Sequence, residues 1–360
     1  MDEKSLNEAA SRLERLGEAL PAKGRIWIVP HDYPDPDALA AAAGMHLLLA
    51  ARFQRSSQIV FSGVVSRAEN RELLRHFRYA WRLRDAAKTP RRPVSCVVVD
   101  SAPRAGNVTL PSFLRPVAVI DHHPLRRRGK PVRAEPFQDI RPDVGATASI
   151  LYEYLMVAGV LIPRWLASIM AYAIASETRD LARNVTALDV EAYSALVRQG
   201  NMAVVGRIRH APLPRSYYGQ LQEALRSARV YGRTAWAHLP AVEQPEIVAE
   251  IADLLLRLER TSHAFCSAWQ GDRLIFSLRS TRPGTRCGAL LRRLVRRQGA
   301  AGGHDESAAG QLDLEGLNPA EKEERRAALV RSLVGRLEPR RAASPEEFLP
   351  KPLIGAGDGL

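Results

Sequence analysis

Residues 25–37 read RIWIVPHDYPDPD, and an apolar run, residues 38–51, follows them directly. The first five of these residues predict a buried strand, and the apolar run has almost no polar side and predicts a buried helix. Between the two, His31, Asp35 and Asp37 form an HxxxDxD pattern. Carboxylates combined with imidazole favour Mn²⁺, with Fe²⁺ or Zn²⁺ as alternatives. A second interpretation is a polar loop in which Asp37 caps the helix.

Two further predicted strands end in residues of the same kinds. The β-branched run Val94–Val99 precedes Asp100, and the run Arg115–Ile120 precedes the Asp-His-His triplet at 121–123. Apolar strands that alternate with helices predict an α/β domain with a mainly parallel sheet, and ligands bind outside the carboxyl ends of such strands. We therefore group these residues with His31 as one candidate site. The alternative for Asp100 is a turn or helix cap. The alternative for the triplet at 121–123 is an Asp–His turn without metal.

A fourth candidate lies at the end of an apolar helix predicted over Arg164–Ala175. Glu177 or Asp180 there could supply a further carboxylate ligand. The alternative for either residue alone is an exposed helix end.

The chain divides into two α/β domains. Their predicted bounds are residues 1–190 for a catalytic domain, 191–228 for linker helices, 229–318 for a smaller second domain and 319–360 for a charged helix with a flexible tail. Other predicted elements of the first domain are helix Ser5–Leu20, strand Gln58–Val65, helix Glu69–Tyr79 and helix Thr147–Ala158. Those of the second are strand Val230–His238, helix Glu246–Arg260, strands Ala264–Trp269 and Leu274–Arg279, helix Gly288–Arg297, the glycine-rich stretch Gly299–His304 and helix Pro319–Leu337.

Composition narrows the class of protein. The 360 residues carry a net charge of +13, which favours polyanionic partners such as nucleic acid or nucleotides. The three cysteines, Cys96, Cys266 and Cys287, form no CxxC pair, so we expect buried apolar residues in a reducing cytoplasm. No signal peptide opens the chain, and the longest apolar run, residues 38–51, is too short to cross a bilayer. We therefore expect a cytoplasmic protein without a membrane partner.

Together these motifs resemble the DHH phosphoesterase superfamily. The match consists of His31-x-x-x-Asp35-x-Asp37, Asp100, Asp121-His122-His123 and the segment Ile174–Thr178, in the family's order. In the second domain, Arg279-Ser280, and Gly302-Gly303-His304 followed by Ser307-Ala308-Ala309-Gly310, resemble the RS and GGHxxAAG motifs of the DHHA1 substrate-binding domain. The resemblance covers about residues 25 to 312.

The resemblance implies a phosphoesterase that uses two Mn²⁺ ions in a cleft between the domains. Carried over by position, one ion would be held by His31, Asp35 and Asp100, and the other by Asp37, Asp100, His122 and Glu177. His123 would lie beside the scissile phosphate, and Asp121 would orient a neighbouring histidine. Substrate phosphate would be bound by Arg279, Ser280, Gly302, Gly303 and His304.

Three departures from the family pattern affect substrate preference. Glu177-Thr178 replaces the usual Asp-Thr, which moves the carboxylate by one methylene and leaves Asp180 as the alternative ligand. Ala40-Ala41 stands where Gly-Ser is common. The glycine run before His304 is shortened. After His304, either one residue is inserted before Ala308-Ala309-Gly310 or Ser307-Ala308-Ala309 replaces the usual Ala-Ala-Gly.

Compact members of the superfamily act on short RNA and on adenosine 3′,5′-bisphosphate. We expect hydrolysis of short oligonucleotides or nucleotides of this type, with a homodimer as a possible assembly. The alternative activity is a cyclic-dinucleotide or linear-dinucleotide phosphodiesterase. The alternative of another class is a nucleotide- or RNA-binding module without turnover. The basic runs Arg126–Arg128 with Lys130 and Arg292–Arg297 are either nucleic-acid contacts or solvated surface.

Overall fold

The structure is a computed structural model. It describes residues 3–63, 65, 67–84, 90, 92–103, 105–124, 135–296, 298–303, 305–339 and 351–353. The chain forms two compact units, residues 1–212 and residues 213–360, and each unit is described by itself below.

The first unit is built on a parallel sheet of six strands. The strands are β1 Ile26–Val29, β2 Ser57–Phe61, β3 Trp81–Leu83, β4 Val94–Val99, β5 Leu114–Asp121 and β6 Phe137–Ile140, in the order β3-β2-β1-β4-β5-β6. Every neighbouring pair is parallel. The helices are α1 Glu3–Ala19, α2 Pro36–Ala51, α3 Ala68–His76, α4 Thr147–Val157, α5 Arg164–Glu177, α6 Ala187–Gln199 and α7 Met202–Arg209. The predicted α/β class with a mainly parallel sheet is confirmed.

The strands are apolar on both faces because both faces of the sheet are covered. In β4, Val97 and Val99 belong to the large core that contains α2, α4 and α5. The alternate residues Cys96 and Val98 belong to a second core. That second core includes segment 102–114, so this face is covered partly by a loop. The helix α2 is buried along most of its length, as its apolar composition predicts.

A buried ionic cluster attaches α4 to the last strand of the sheet. The Arg141 guanidinium contacts Asp139 at 2.7 Å and Glu153 at 2.6 Å, and the Tyr154 hydroxyl donates to Asp139 at 2.5 Å. Asp139 lies in β6, whereas Glu153 and Tyr154 lie in α4. The cluster therefore fixes this helix against the sheet. The N-terminus of α4 contributes to the candidate site described below.

The second unit has a mixed sheet of seven strands. Its elements are α8 Arg215–Ser227, β7 Arg229–Tyr231, β8 Thr234–Leu239, α9 Glu246–Leu255, β9 His263–Gln270, β10 Arg273–Ser280, α10 Cys287–Leu294, β11 Gly299–Gly303, β12 Ser307–Asp313, α11 Pro319–Leu337 and β13 Lys351–Pro352. The strand order is β11-β12-β10-β9-β8-β7-β13, and β8 and β9 form the parallel pair. This is the smaller α/β domain that the sequence predicts.

Several elements differ from the predictions. The single strand predicted over Val230–His238 is a hairpin of β7 and β8, because Gly232 adopts a φ of +63° and reverses the chain. The short strands β3 and β6 were not predicted. Helices α9 and α10 end earlier than predicted, at Leu255 and Leu294. Of the predicted linker, α6 and α7 belong to the first unit and α8 belongs to the second.

Other predictions concern single residues and termini. All three cysteines are buried, and burial raises the pKa of the Cys96 thiol to about 12. Within the described ranges, no helix is both long and apolar enough to cross a membrane. The predicted flexible tail lies mostly outside the described residues, as do Arg126–Arg128, Lys130 and Arg297 of the basic runs.

The loop before α4 provides a test of packing. A Cβ atom on Gly145 would lie 2.7 Å from the Asn184 carbonyl oxygen, so we expect Gly145→Ala to lower the free energy of unfolding by about 1–3 kcal/mol. The matched control is Gly206→Ala in α7, where a Cβ would have no neighbour within 4 Å, and we expect it to be neutral or to stabilise by up to about 1 kcal/mol. Urea denaturation measures both. Equal effects of the two substitutions would contradict the packing described here.

Candidate metal centre

The predicted site residues of the first unit converge at the carboxyl ends of three adjacent strands. His31 follows β1, Asp100 follows β4, and Asp121 is the last residue of β5. Because β4 lies between β1 and β5, these three strand ends form one continuous edge. This is the edge at which open parallel sheets bind their ligands.

Asp100 lies at the centre of this edge. Its side chain is buried, and Thr147 donates a hydrogen bond of 2.8 Å to Oδ1. Oδ2 lies 3.6 Å from His31 Nε2, and Oδ1 lies 3.6 Å from His122 Nε2 and 3.7 Å from His123 Nδ1. The residue adopts a φ of +55°, a conformation that Asp tolerates better than most residues. One carboxylate therefore faces two groups of imidazole nitrogens.

The first group of potential ligands consists of His31, Asp35 and Asp100. His31 Nδ1 donates to the Asp32 carbonyl at 2.8 Å, which directs Nε2 toward the two carboxylates. Asp35 Oδ1 lies 3.7 Å from that Nε2 and also accepts from Ala38 N–H at 3.0 Å, so Asp35 caps α2. The alternative that Asp37 caps this helix is therefore wrong, because Asp37 lies inside the first turn.

Asp37 instead caps a different helix. Its two oxygens accept from the backbone N–H groups of Thr147 at 2.7 Å and Ala148 at 2.9 Å, at the start of α4. Its Oδ2 lies 3.9 Å from His122 Nε2, and the side chain is almost fully buried. The helix dipole and the two donated bonds stabilise the carboxylate at this position.

The second group consists of Asp100, His122 and His123. His122 Nδ1 donates to the Val144 carbonyl at 3.2 Å, so Nε2 is the unprotonated nitrogen of the neutral ring. That Nε2 is buried and has no hydrogen-bond partner within the described part of the chain. His123 Nδ1 donates to Asp121 Oδ1 at 2.8 Å, and the His123 backbone N–H donates to the same oxygen.

Glu177 and Asp180 were open alternatives for the fourth motif, and the structure separates them. The Glu177 carboxylate lies close enough to the site to raise the pKa of Asp37, and its Oε1 lies 3.4 Å from Arg183. The Asp180 side chain is 66% exposed and pairs with Arg209 at 2.5 Å. Glu177 is thus the acid near the site, although its oxygens lie outside the two groups of potential ligands.

The electrostatics of the site favour a bound cation. Burial, then the charges of Asp35 and Glu177, raises the pKa of Asp37 to about 8 against the effect of the α4 N–H groups. Burial and the neighbouring carboxylates also raise the pKa of Asp100. Burial would lower the pKa of His31, but the Asp35 carboxylate 3.7 Å from Nε2 and the hydrogen bond to the Asp32 carbonyl outweigh it and raise that pKa to about 9. Burial and mutual repulsion therefore disfavour the ionised form of these carboxyl groups, and a bound cation would favour it.

The donor set fits a divalent metal. Carboxylate oxygens and imidazole nitrogens face one another at 3.6–3.9 Å, too far for hydrogen bonds, and a buried imidazole nitrogen is left without a partner. A metal ligated between such groups satisfies both kinds of atom, since neutral imidazole and ionised carboxylate are its preferred forms of ligand. The residues that supply these oxygen and nitrogen atoms are among those predicted from the sequence.

A comparison with known families agrees with this geometry. The model of the DHH family, N-terminal domain, matches residues 25–174. These residues form a DHH-family domain. Members of the family are phosphoesterases that depend on divalent metals. The matched region begins one residue before strand β1, which leads to His31. It includes both groups of potential ligands but not Glu177.

Proteins that match most of the chain have low sequence identity to it. The chain is 28% identical over 304 residues to an uncharacterized protein of Methanocaldococcus jannaschii, and the match covers 84% of this chain but 60% of that protein. The chain thus spans about 60% of the length of the curated relative it matches. An exopolyphosphatase-related protein from Bacteroides fragilis has the same fold, with a TM-score of 0.67 at 15% identity, covering 93% of this chain and 97% of that one. A pGpG-specific phosphodiesterase from Vibrio cholerae reaches a TM-score of 0.36 at 15% identity, covering 86% of this chain and 99% of its own, which supports no argument.

The substrate-binding residues predicted in the second unit have partners within that unit. Arg279 pairs with Asp253 at 2.9 Å and donates to Ser277 Oγ at 2.7 Å. Ser280 is buried, and its hydroxyl hydrogen-bonds to His263 Nδ1 at 3.0 Å and accepts from the Arg282 N–H. Ser280 therefore stabilises the loop after β10. The substrate role predicted for Arg279 stays a prediction.

The predicted glycines belong to a strand. Gly302 and Gly303 lie in β11, paired with Ala309 and Ala308 of β12. Gly303 adopts a φ of +136°, and a Cβ there would lie 2.3 Å from the Ser307 carbonyl oxygen, so this position requires glycine. His304 lies outside the described residues.

Sequence reasoning missed the residues that hold the ligands of the DHH domain in place. Thr147 contacts both Asp37 and Asp100, and the Val144 carbonyl orients His122. Asp189 in turn accepts from the Gly145 N–H at 2.9 Å and thereby fixes this loop. The run of small and polar residues before the apolar part of α4, residues 145–149, was the available signal.

Removing one buried charge should stabilise the metal-free protein. Burial raises the pKa of the Asp100 carboxyl in the folded protein. At any pH above the pKa that this carboxyl has in the unfolded chain, Asp100 therefore destabilises the fold. Asp100→Asn removes the ionisable group. We expect Asp100→Asn to raise the Tm in EDTA by a few degrees. Mn²⁺ should raise the Tm of the wild type and not that of Asp100→Asn. A wild-type Tm that does not respond to Mn²⁺, measured by calorimetry, would contradict the metal site.

The two acids of the fourth motif provide a matched pair. Glu177→Gln should weaken Mn²⁺ binding about tenfold or more, because it removes a charge next to the potential ligands. Asp180→Asn should leave binding unchanged, because the Asp180 side chain is exposed and paired with Arg209. Isothermal titration with Mn²⁺ gives affinity and stoichiometry for both variants. Loss of binding in Asp180→Asn alone would reverse the assignment.

Proposed function

We propose that this protein is a Mn²⁺-dependent phosphoesterase that hydrolyses short oligonucleotides or nucleotides. The observation that carries the proposal is Asp100, a single buried carboxylate shared by two groups of potential ligands. A carboxylate in that position can bridge two cations, and two neighbouring cations are a common solution for phosphoryl transfer.

One ion would be held by His31, Asp35 and Asp100, and the other by Asp37, Asp100, His122 and Glu177. When bound, such ions neutralise charge on the phosphoryl oxygens and make water a stronger nucleophile near neutral pH. The mixture of oxygen and nitrogen ligands supports Mn²⁺ over Mg²⁺ and Ca²⁺, which prefer oxygen alone.

His123 would contact the substrate phosphate. Its Nδ1 is committed to Asp121, so the ring is held in a fixed orientation with Nε2 as its other polar atom. Burial would lower the pKa of His123, but the hydrogen bond and charge of Asp121 outweigh it and raise the pKa. A protonated imidazole beside the metals can donate to a phosphoryl oxygen and stabilise the charge that develops there.

The substrate class rests on charge and on size. The net charge of +13 favours a polyanion, and aromatic residues make up only 6% of the chain, too few for a long single-strand stacking surface. Short oligonucleotides and nucleotides satisfy both conditions. We propose that Arg279 binds a substrate phosphate, for which a guanidinium is well suited.

The test is turnover of a substrate panel with Mn²⁺. The panel consists of an RNA dinucleotide and pentanucleotide, a 24-mer, adenosine 3′,5′-bisphosphate, cyclic di-AMP and inorganic pyrophosphate. We expect hydrolysis of the short oligonucleotides or the bisphosphate, with the 24-mer spared. His122→Ala should lower kcat/KM about 100-fold or more, because it removes a ligand atom that nothing else replaces.

Each other outcome has a defined meaning. Turnover of cyclic di-AMP alone would identify the protein as a cyclic-dinucleotide phosphodiesterase. Turnover of pyrophosphate alone would exclude nucleotides and oligonucleotides as its substrates. Tight binding of the panel without any turnover would indicate a binding module. The control is Arg115→Ala, an exposed residue of β5 far along the strand from Asp121, which should leave the rate unchanged.

A further inference from the structure

Tyr33 has an unusual backbone conformation at the centre of the metal-binding loop. It lies midway between His31 and Asp35, and its φ is +57°. This left-handed conformation is adopted readily by Gly and Asn but is unfavourable for a bulky aromatic residue. A residue held in such a conformation at a functional site is a reason to ask what its side chain does.

The surroundings of Tyr33 enforce this conformation. Its N–H donates to the Ser62 carbonyl at 2.8 Å, and the preceding N–H, that of Asp32, donates to the Asn107 carbonyl at 2.8 Å. The Asp32 carboxylate accepts from the Thr109 N–H at 2.9 Å. The loop is thus attached at Asp32 and at the Tyr33 backbone by groups that do not involve the ring.

The Tyr33 ring contributes little to the core. Its residue surface is 61% exposed, and it belongs to none of the buried clusters of the described residues. One side of the ring lies against Gly63, where a Cβ atom would come within 2.6 Å of the ring. Any larger residue at position 63 would displace the ring, so the glycine leaves room for an aromatic surface that the fold itself does not need.

The ring also lies near the potential ligands. Gly63 follows β2, which is the neighbour of β1, and β1 is the neighbour of β4. Strands are spaced about 4.8 Å apart, so β2 ends about 10 Å along the sheet edge from the strand that ends at Asp100. Because the sugar of a nucleotide separates its base from its phosphate, the base can reach toward this part of the edge while the phosphate lies at the metal centre.

We propose that Tyr33 is the stacking surface for a nucleobase of the substrate. This inference rests on the proposed function and narrows the substrate class. A stacking surface requires a nucleoside phosphate as the preferred ligand, rather than inorganic pyrophosphate or polyphosphate. An aromatic ring with an exposed face is the usual partner of a base in sites that read little sequence. The unfavourable backbone is then retained because the side chain binds substrate.

The test compares ligands with and without a base. Isothermal titration of the Mn²⁺-loaded protein measures the affinity for AMP and for ribose 5-phosphate, in the wild type, Tyr33→Phe and Tyr33→Asn. We expect the wild type to bind AMP more tightly than ribose 5-phosphate. Tyr33→Asn should weaken AMP binding about 5- to 150-fold and leave ribose 5-phosphate unchanged, whereas Tyr33→Phe retains the wild-type affinities. The Tm of Tyr33→Asn should equal or exceed that of the wild type, since Asn tolerates the backbone conformation.

Other results would overturn the inference. Equal wild-type affinity for the two ligands would mean that no base is recognised, and equal weakening of both ligands in Tyr33→Asn would mean that Tyr33 only shapes the loop. In either case the proposed function would stand. If the wild type binds neither ligand but hydrolyses pyrophosphate, both the nucleotide function and the role of Tyr33 are wrong.

Discussion

The burial of Asp100 is the constraint on which the rest of the site depends. A carboxylate removed from water is costly unless a cation or several hydrogen bonds stabilise it. Here one hydroxyl donates to it, and the imidazoles that face it stand too far away for hydrogen bonds. The metal-free arrangement is therefore electrostatically unfavourable, and a bound divalent cation would offset that cost. This is a physical reason why the fold keeps acids at a position where an apolar residue would be more stable.

The fold holds these acids in place through backbone groups. The N-terminus of α4 binds Asp37, its Thr147 binds Asp100, and the loop before it binds His122 through the Val144 carbonyl. The helix is in turn fixed to the sheet by the ionic cluster around Arg141. Three potential ligands, one in the first turn of α2 and two that follow β4 and β5, thus share one support, so a shift of α4 would disturb all of them together.

Features that depend on neighbouring residues could be predicted from the sequence, and features that depend on contacts between distant parts of the chain could not. The run Val94–Val99 and the helix Pro319–Leu337 have the predicted bounds, because local patterns determine them. The potential ligands at the strand ends were predicted because they closely follow apolar runs. The support from Thr147 was missed, since its contact with Asp37 joins residues 110 positions apart. The conformation of Tyr33 was also missed, because it depends on the Ser62 carbonyl of a neighbouring loop.

The candidate acid that departs from the family pattern, Glu177, is one that caps no helix. Asp35 and Asp37 each cap a helix, and a longer side chain at either position would lose that hydrogen bond. Glu177 ends α5, is partly exposed, and its carboxylate pairs with Arg183. An additional methylene there changes the position of a carboxylate without removing a cap. A change of side-chain length at Glu177 therefore leaves the helix caps intact, whereas a change of length at Asp37 would remove the cap of α4 and destabilise that helix.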